Sequence, residues 1–267
     1  MNISESHKKE LVVAKSLLEN PGLAAKMTNL IGTPIENLFE KGLDLLPDGW
    51  NKNIAKVTEK SLMKASDAAI FTMKDIPGEE SSNLWHKLGV VVTGGVGGFF
   101  GLAAVAVELP ISTSIMLRSI ADIARSEGES ISALQTKMAC LEVFALGGKS
   151  DLDDGSESGY FAIRATLAKS VSEAAEFILK KGFTDEAAPI LIKLITKIAE
   201  KFSVQITQKA AAQALPAIGA AGGAIINTLF IDHFQDMARG HFIVRKLERV
   251  YGYDSVKNAY DLLPKKG

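Results

Sequence analysis

The chain has 267 residues, of which 47% are hydrophobic and 23% are charged. These values are typical of a globular protein and exclude an intrinsically disordered one. The lysines and arginines number 30 and the acidic residues 31, so the net charge is -1. No overall field therefore draws the chain to nucleic acid or to an anionic membrane, and any such contact would need a local patch.

The only cysteine, Cys140, cannot form an internal disulfide, and the N-terminus has no long apolar stretch behind a basic start. Both features predict a reducing compartment and no secretory signal. Cys140 lies in the apolar stretch ACLEVFAL, with no histidine nearby in the sequence. We therefore predict a buried structural thiol and not a nucleophile.

Apolar residues recur at three- and four-residue spacing along almost the whole chain, and alternating strand patterns are scarce. We predict an all-α fold in one domain, residues 1–267, with N-terminal helices in 1–80 and a core in 88–252. Predicted breaks, where proline, glycine and small polar residues cluster, are 20–22, 47–49, 77–82, 127–129 and 147–159. Predicted helices include one starting near Leu11, one opening at Gly32-Thr33-Pro34, 54–73, one ending at Arg125, one carrying Cys140 to Leu146, 161–181, 185–213 and 232–250. The segment 147–159 is acidic and turn-rich, and we expect it to be an exposed loop.

Two apolar runs stand out. Residues 88–117 contain one charge, Glu108, and residues 210–231 contain none. Each run has a glycine cluster, GGVGG at 94–98 and GAAGG at 219–223, and each leads into a charged helix. We predict two central glycine-rich helical hairpins, in which glycines bring helix backbones close together or the hairpins are simply buried in the core.

Either run is long enough to cross a bilayer. The prolines Pro110 and Pro216 and the glycine clusters oppose a continuous spanning helix, and Glu108 would need a partner in hydrocarbon. We expect Pro110 to start a new helix. We therefore predict a fold with both hairpins inside, able to dock reversibly on a membrane surface.

Common catalytic and nucleotide-binding motifs are missing. The glycines after Val90-Val91-Val92 suggest a dinucleotide-binding loop, but G-x-G-x-x-G counted from Gly95 finds Phe100 at its last position. Neither a phosphate-binding G-x-x-x-x-G-K-[ST] nor a nucleophile G-x-S-x-G occurs. We expect no cofactor.

Polar residues flank the two apolar runs, and we predict that they meet in a polar seam between the two halves of the chain. Arg118, Asp122 and Arg125 share one helix face. We expect them to be partly buried and to pair with Glu108 or with carboxylates of 232–248. The predicted seam comprises Glu108, Arg118, Asp122, Arg125, Asn227, Asp232, His233, Asp236, Arg239, His241, Arg245 and Glu248.

The seam has three possible roles. It can be a structural ion-pair network, a polar pocket for an organic ligand, or a metal site. His233 and His241 are two turns apart, too far to reach one ion directly from a straight helix, so a metal at Asp232, His233 and Asp236 would need a ligand from elsewhere, such as Glu108. We expect no metal.

Three long strings carry a family resemblance: GGVGGFFGLAAVAVELPISTSIMLRSIADIARSEGE, ACLEVFALGG and LPAIGAAGGAIINTLFIDHFQDMARGHFIVRKLERVYG. They resemble the EcsC family over about 88–252, and more weakly toward 32–36. The resemblance implies a bacterial protein, cytoplasmic or membrane-associated, from a family named for a protein encoded beside an ABC transporter. It implies no catalytic role. The positions that match the family's recurrent polar residues are Glu108, Pro110, Arg118, Asp122, Arg125, Asn227, Arg239, His241, Arg245 and Glu248.

The function that we expect is that of a non-enzymatic, membrane-associated accessory or interaction protein. It would be cytoplasmic and peripheral on the inner face of the membrane, with a membrane surface or a membrane protein complex as partner and no nucleic acid. One alternative is a binder of an apolar ligand between helices. The other is a metal-assisted, hydrolase-like enzyme, whose pocket would comprise Glu108, Asp122, Asp232, His233 and His241.

Overall fold

The computed structural model describes residues 3–19, 23, 26–27, 35–66, 102–147, 159–181, 188–215 and 219–264. All regular structure in these ranges is helical and none of it is β-strand, which confirms the predicted all-α class. The α-helices in these ranges are α1 (Glu5–Leu18), α2 (Ile35–Asp44), α3 (Trp50–Ala65), α4 (Leu102–Ser126), α5 (Leu134–Glu142), α6 (Gly159–Lys181), α7 (Ala188–Ala214), α8 (Gly219–Tyr251) and α9 (Tyr253–Leu262). A single 3₁₀ turn, Val143–Ala145, follows α5.

Two of the predicted turns have the backbone geometry that their glycines allow. Gly49 has φ 75° immediately before α3, and Gly128 has φ 80° after α4. Glycine adopts such left-handed φ values without the steric cost that a side chain imposes. The predicted breaks at 47–49 and 127–129 are therefore confirmed. The glycines of 94–98, the break at 77–82 and the interior of the 147–159 loop lie outside the described residues.

Pro110 does not start a helix, because it lies inside α4. A proline there removes one backbone hydrogen bond, which ordinarily kinks or breaks a helix. The side chains of Leu109, Thr113 and Leu117 are nevertheless buried on both sides of it, so packing holds the two halves in one helix. The hydroxyl of Ser114 donates to the carbonyl oxygen of Pro110 at 2.7 Å.

The part of the second apolar run from Gly219 onward and the charged segment after it also form one helix. We predicted a separate charged helix from Asp232, but α8 runs unbroken from Gly219 to Tyr251. The buried stripe continues across the change in polarity, through Ile226, Phe230 and Phe234. The change at Asp232 therefore alters what the outer face presents and leaves the backbone unchanged.

Two close helix contacts occur at glycines outside the two predicted clusters. A Cβ on Gly240 of α8 would lie 2.6 Å from Leu18 Cγ of α1, and one on Gly42 of α2 would lie 2.3 Å from the carbonyl oxygen of Ala211 in α7. Gly223, in the predicted glycine cluster, has nothing within 4 Å of such a Cβ. Of the two interpretations of the glycine clusters, close packing of helix backbones therefore does not hold at Gly223.

The buried apolar residues form one contiguous core that extends from Ile3 to Tyr260. Its centre is aromatic: the ring centroids of Phe144 and Phe202 are 4.8 Å apart, and those of Phe144 and Phe234 are 5.4 Å apart. Cys140 is a free, buried thiol, as predicted. Within the described ranges, no helix combines the length and the apolar character that crossing a membrane requires.

Candidate functional site

The C-terminal half of α8 holds two arginine–carboxylate clusters of the predicted seam. In the first, Arg245 Nε donates to Glu129 Oε1 at 2.9 Å, Thr136 Oγ1 donates to Glu129 Oε2 at 2.8 Å, and Arg249 also contacts this carboxylate. Burial alone would raise the pKa of Glu129, but the hydrogen bonds and charges of these partners outweigh it and lower the pKa below its usual value. Glu129 is therefore a charged anchor between α8 and the segment after α4.

The second cluster joins α8 to α6 and is nearly buried. Arg164 binds Glu248 with two hydrogen bonds, Nη1 to Oε1 at 2.6 Å and Nη2 to Oε2 at 3.0 Å. Such bidentate pairs are the stronger kind of ion pair. Arg164 Nη1 also donates to the hydroxyl oxygen of Tyr160 at 3.3 Å, and Tyr160 lies 2.9 Å from Nδ1 of His241.

The hydrogen bonds around Tyr160 favour one tautomer of His241. Because the guanidinium of Arg164 can only donate, the Tyr160 oxygen accepts from it and the Tyr160 hydroxyl is free to donate to Nδ1. The proton of His241 then lies on Nε2, which faces Oε2 of Glu142 at 3.8 Å. Burial lowers the pKa of His241 well below its usual value, and the charges of Arg164 and Arg245 lower it further.

Glu142 shares this interior and is not a strong anion there. Burial raises the pKa of its carboxyl, and the charges of Arg164 and Arg245 offset only part of the rise. A neutral imidazole facing a carboxyl with a raised pKa, both closed off from solvent, fits a structural network better than a reaction centre that must reach a substrate.

His233 is buried about two turns before His241 in α8, and the described residues give neither ring nitrogen a hydrogen-bond partner. Gly147 covers the ring so closely that a Cβ there would lie 2.4 Å from Nε2. Burial, with a smaller contribution from the charge of Lys26, lowers the pKa of His233 to about 3. His233 is therefore a neutral core residue.

The outer faces of α4 and α8 carry the other predicted seam residues. Asp122 pairs with Arg125 of its own helix at 3.2 Å, and Asp236 pairs with Lys26 at 3.0 Å and with Arg239 at 3.6 Å. Burial raises the pKa of Asp122, and the charge of Arg125 offsets part of this rise. The side chain of Asn227 is partly buried, and three of the predicted seam residues have exposed side chains: Arg118, Asp232 and Arg239.

The predicted burial is wrong for Arg118. The buried stripe of α4 passes through Leu117, Ile120 and Ala124. Arg118 lies about 100° around the helix from Leu117, because an α-helix has 3.6 residues per turn. The shared face of Arg118, Asp122 and Arg125 thus borders solvent: Asp122 and Arg125 are partly buried, as predicted, and Arg118 is exposed.

Glu108 pairs with a residue that the sequence analysis did not select. Its carboxylate lies 3.2 Å from Lys209 Nζ of α7, and Lys209 Nζ lies 4.9 Å from the ring centroid of Phe230. These side chains line a cavity of about 30 Å³. That volume holds a water molecule or two and is far below the several hundred Å³ of a small-molecule site.

The pocket of the hydrolase alternative does not assemble. Glu108 faces α7, Asp122 pairs within α4, Asp232 is exposed, and His233 and His241 each contact a different part of the core. In the ranges that the structure describes, no three residues among His, Cys, Asp and Glu are grouped so that they could hold a metal ion.

Several residues of these clusters are not among the predicted seam residues: Glu129, Glu142, Tyr160, Arg164 and Lys209. One pattern could have found three of them. Glu142 in ACLEVFAL, Arg164 in YFAIRATLA and Lys209 before AAA are single charges in apolar surroundings. A buried charge is costly unless it is paired, so each such residue implies a partner elsewhere in the chain.

Comparison with known proteins gives one match. The model of the EcsC protein family matches residues 19–247, most of the chain. The chain belongs to the EcsC protein family. No curated protein and no solved structure matches it. The match confirms the family that the three strings indicated, and most of α8 with its partners on α4 to α7 lies inside the matched region of this EcsC protein.

Helices α2, α4 and α8 all contact the C-terminal part of α7. The pairs in contact are Gly42 with Ala211, Glu108 with Lys209, and Gln213 with Gly223. One end of the EcsC protein is therefore built from the last turns of α2 and α7 and the first turns of α4 and α8.

Large apolar side chains are exposed at this end, and each lies within three residues along the chain of one of those contacts. The most exposed is Val107, at 70%. We call the set the apolar end, and it consists of Leu43, Leu45, Val107, Ile111 and Ile225. The sequence analysis selected none of these residues, because single apolar residues on a helix surface are common and their grouping depends on the fold.

Proposed function

We propose that this EcsC protein is a non-enzymatic accessory protein that docks reversibly on the cytoplasmic face of a membrane through the apolar end. The observation that carries the proposal is the exposure of five large apolar side chains where four helix ends meet. Grouped exposed apolar residues on a protein surface are typical of interaction sites.

The sequence around the apolar end supports a lipid surface as the partner. The uncharged run that begins at Leu88 leads into α4 at this end, and the run of 210–231 contains the end of α7 and the start of α8. Shallow insertion of apolar side chains into the headgroup region needs no spanning helix. A peripheral mode of attachment agrees with these features.

Neither alternative has comparable support. For the metal-assisted, hydrolase-like enzyme, the described part of the chain contains no group of three His, Cys, Asp or Glu residues that could hold a metal ion. For the binder of an apolar ligand, the cavity beside Glu108 is about 30 Å³, too small for an organic molecule without rearrangement.

The test is sedimentation of the purified protein with phospholipid vesicles. The double variant Val107→Ser, Ile225→Ser removes apolar surface without touching the core. We expect roughly tenfold weaker binding or more, since burying one such side chain contributes roughly 1.5–3 kcal/mol. Leu262→Ser, on the exposed side of α9, is the matched control and is expected to bind like the parent. Equal binding by parent and double variant would contradict the proposal.

A second measurement addresses the mode of attachment. Washing native membranes with carbonate or high salt is expected to release the protein, because only side chains enter the lipid. Protein that stays in the pellet until detergent is added would show integral insertion and overturn the peripheral mode.

A further inference from the structure

Helix α3 carries a line of four lysines. Lys52, Lys56, Lys60 and Lys64 follow one another at four-residue spacing, and all four side chains are exposed. Residues four apart lie on the same side of an α-helix, one turn above the other. At 1.5 Å per residue the line is about 18 Å long. We call it the lysine stripe.

The lysine stripe has no neutralising partner in the part of the chain that the structure describes. None of its four ammonium groups is joined there to a carboxylate, and the one acidic residue of α3, Glu59, is outside the line. Several exposed lysines elsewhere are paired, for example Lys180 with Glu176 at 2.6 Å and Lys8 with Glu5 at 2.7 Å. Among the described residues, a chain with a net charge of -1 thus has four lysines without a carboxylate partner on one helix face.

A second basic helix lies against α3. Helix α7, which packs on it, has four lysines and one glutamate. Lys193 and Lys209 pair with Glu173 and Glu108, whereas Lys197 and Lys201, four residues apart, have no carboxylate partner among the described residues. Lys201 is exposed. Two adjacent helices with the same sign of charge produce a local field that the balanced total charge hides.

The lysine stripe begins beside the apolar end. Trp50, the first residue of α3, donates from Nε1 to Thr207 Oγ1 of α7 at 3.0 Å, two residues before the Lys209 that pairs with Glu108. Leu45 precedes α3 by one short turn. Exposed apolar side chains next to a row of lysines are the combination by which peripheral proteins bind anionic bilayers.

We infer that the lysine stripe makes membrane docking selective for anionic phospholipid headgroups. This inference rests on the proposed function and adds the class of lipid. The apolar end would enter the headgroup region, and the ammonium groups would bind phosphate oxygens of the lipid surface. The attraction falls off within about 8 Å at physiological ionic strength, so the stripe must lie close to the surface to act.

The experiment compares vesicles of phosphatidylcholine alone with vesicles that also contain phosphatidylglycerol. The parent protein is expected to bind the mixed vesicles more tightly, and the difference is expected to shrink as salt is added. The variant in which Lys52, Lys56, Lys60 and Lys64 are all changed to glutamine is expected to lose this difference. Its affinity for the mixed vesicles should fall roughly fivefold per lysine.

Two variants serve as controls. The first changes four lysines that are paired in the fold, Lys8, Lys169, Lys180 and Lys257, to glutamine, with the same loss of net charge, and it is expected to keep the preference. The second changes the stripe to arginine, keeps the charge, and is also expected to keep the preference.

The outcomes separate the two proposals. Equal binding of the parent to both vesicle types, or an equal loss in the stripe variant and the paired-lysine control, overturns the anionic-lipid inference and leaves the proposed docking intact. Failure of the parent to bind either vesicle type overturns the proposed function itself. Binding of the lysine stripe to an acidic protein, together with equal binding of the parent to both vesicle types, also overturns the inference.

Discussion

Gly147 covers the imidazole of His233 so closely that no side chain fits between them. A Cβ on Gly147 would lie 2.4 Å from Nε2 of His233 and 2.9 Å from Sδ of Met237. Gly147 also has φ 78°, a backbone conformation that residues with side chains seldom adopt. The start of the predicted 147–159 loop is therefore fixed by a contact with α8.

Changing Gly147→Ala should lower the free energy of unfolding by roughly 2–5 kcal/mol. The left-handed backbone costs about 1–2 kcal/mol for a residue with a Cβ, and the forced contact with His233 costs about 1–3 kcal/mol more. Urea unfolding of parent and variant measures the difference.

Gly49 offers a matched control, because it has φ 75° and ψ 9°, and a Cβ there would meet only Asn53 Nδ2, at an ordinary contact distance of 3.5 Å. The variant Gly49→Ala should show the backbone cost alone, about 1–2 kcal/mol. Equal losses at the two positions would mean that the contact between Gly147 and His233 contributes nothing.

The buried histidines should make the protein less stable as the pH falls below about 6.5. The unfolded chain then binds a proton at His233 and at His241, while the folded chain does not, so the free energy of unfolding decreases by up to about 1.4 kcal/mol per pH unit and histidine. For His233 the decrease continues down to about pH 3, its pKa in the folded protein.

The variant His233→Leu tests this sign. It removes one titrating group from a site where the described residues offer the ring no hydrogen bond. The difference in stability between about pH 7.5 and about pH 5.5, measured by urea unfolding, should fall by about 1.4 kcal/mol relative to the parent. An unchanged difference would show that the pKa of His233 is not lowered in the folded protein.

The pair of Arg164 and Glu248 should be the most sensitive ion pair among those described here. Changing Arg164→Met leaves a nearly buried carboxylate unpaired and should cost about 3–5 kcal/mol. The double variant Arg164→Met, Glu248→Leu should recover much of that loss, because no charge is left without a partner. Thermal unfolding of the three proteins checks the order.

Asp122→Ala is the control for this pair, since Asp122 is partly exposed and pairs with Arg125 on its own helix. Exposed pairs of this kind contribute about 0.3–0.5 kcal/mol. A loss at Asp122 as large as that at Arg164 would restore the seam on the Arg118 face of α4 that we originally predicted.

Two glycine variants should act in opposite directions. Gly223→Ala meets no atom within 4 Å and should stabilise the start of α8 by about 0.5–1 kcal/mol, because alanine is the better helix former. Gly42→Ala would place its Cβ 2.3 Å from the Ala211 carbonyl and should loosen α2 from α7. Hydrogen exchange of the α2 amides measures the loosening, and unchanged protection would contradict the close contact.

Local patterns predicted the helices and their turns because both depend on neighbours in the sequence. The 3.6-residue periodicity is visible over a dozen residues, and the glycines at Gly49 and Gly128 end their segments by backbone geometry alone. Pro110 shows the limit of such rules. A proline ordinarily ends a helix, but tertiary packing of Leu109 and Thr113 maintained α4 through it.

The partners of the charged residues could not be predicted in the same way. Spacing indicates pairs within one helix, such as Asp122 with Arg125. Glu108 and Lys209 are 101 residues apart in the sequence, and Arg164 and Glu248 are 84 apart. A balanced composition allows many pairings at such separations, and only the packing of the helices selects among them. The division of the chain at residue 80 remains a prediction.

Helix α8 is one unbroken element of 33 residues, about 50 Å long at 1.5 Å per residue. Its first turns border the apolar end, and Gly240 is held against α1. In its last turns, Arg245 binds the carboxylate of Glu129, and Glu248 binds the guanidinium of Arg164. Because the C-terminal end of α8 is held in place, a tilt at its N-terminal end cannot be accommodated locally. If the apolar end docks on a bilayer as proposed, a force on Ile225 would act as torque on the arginine clusters at the opposite end, and membrane contact would be mechanically coupled to the integrity of those clusters.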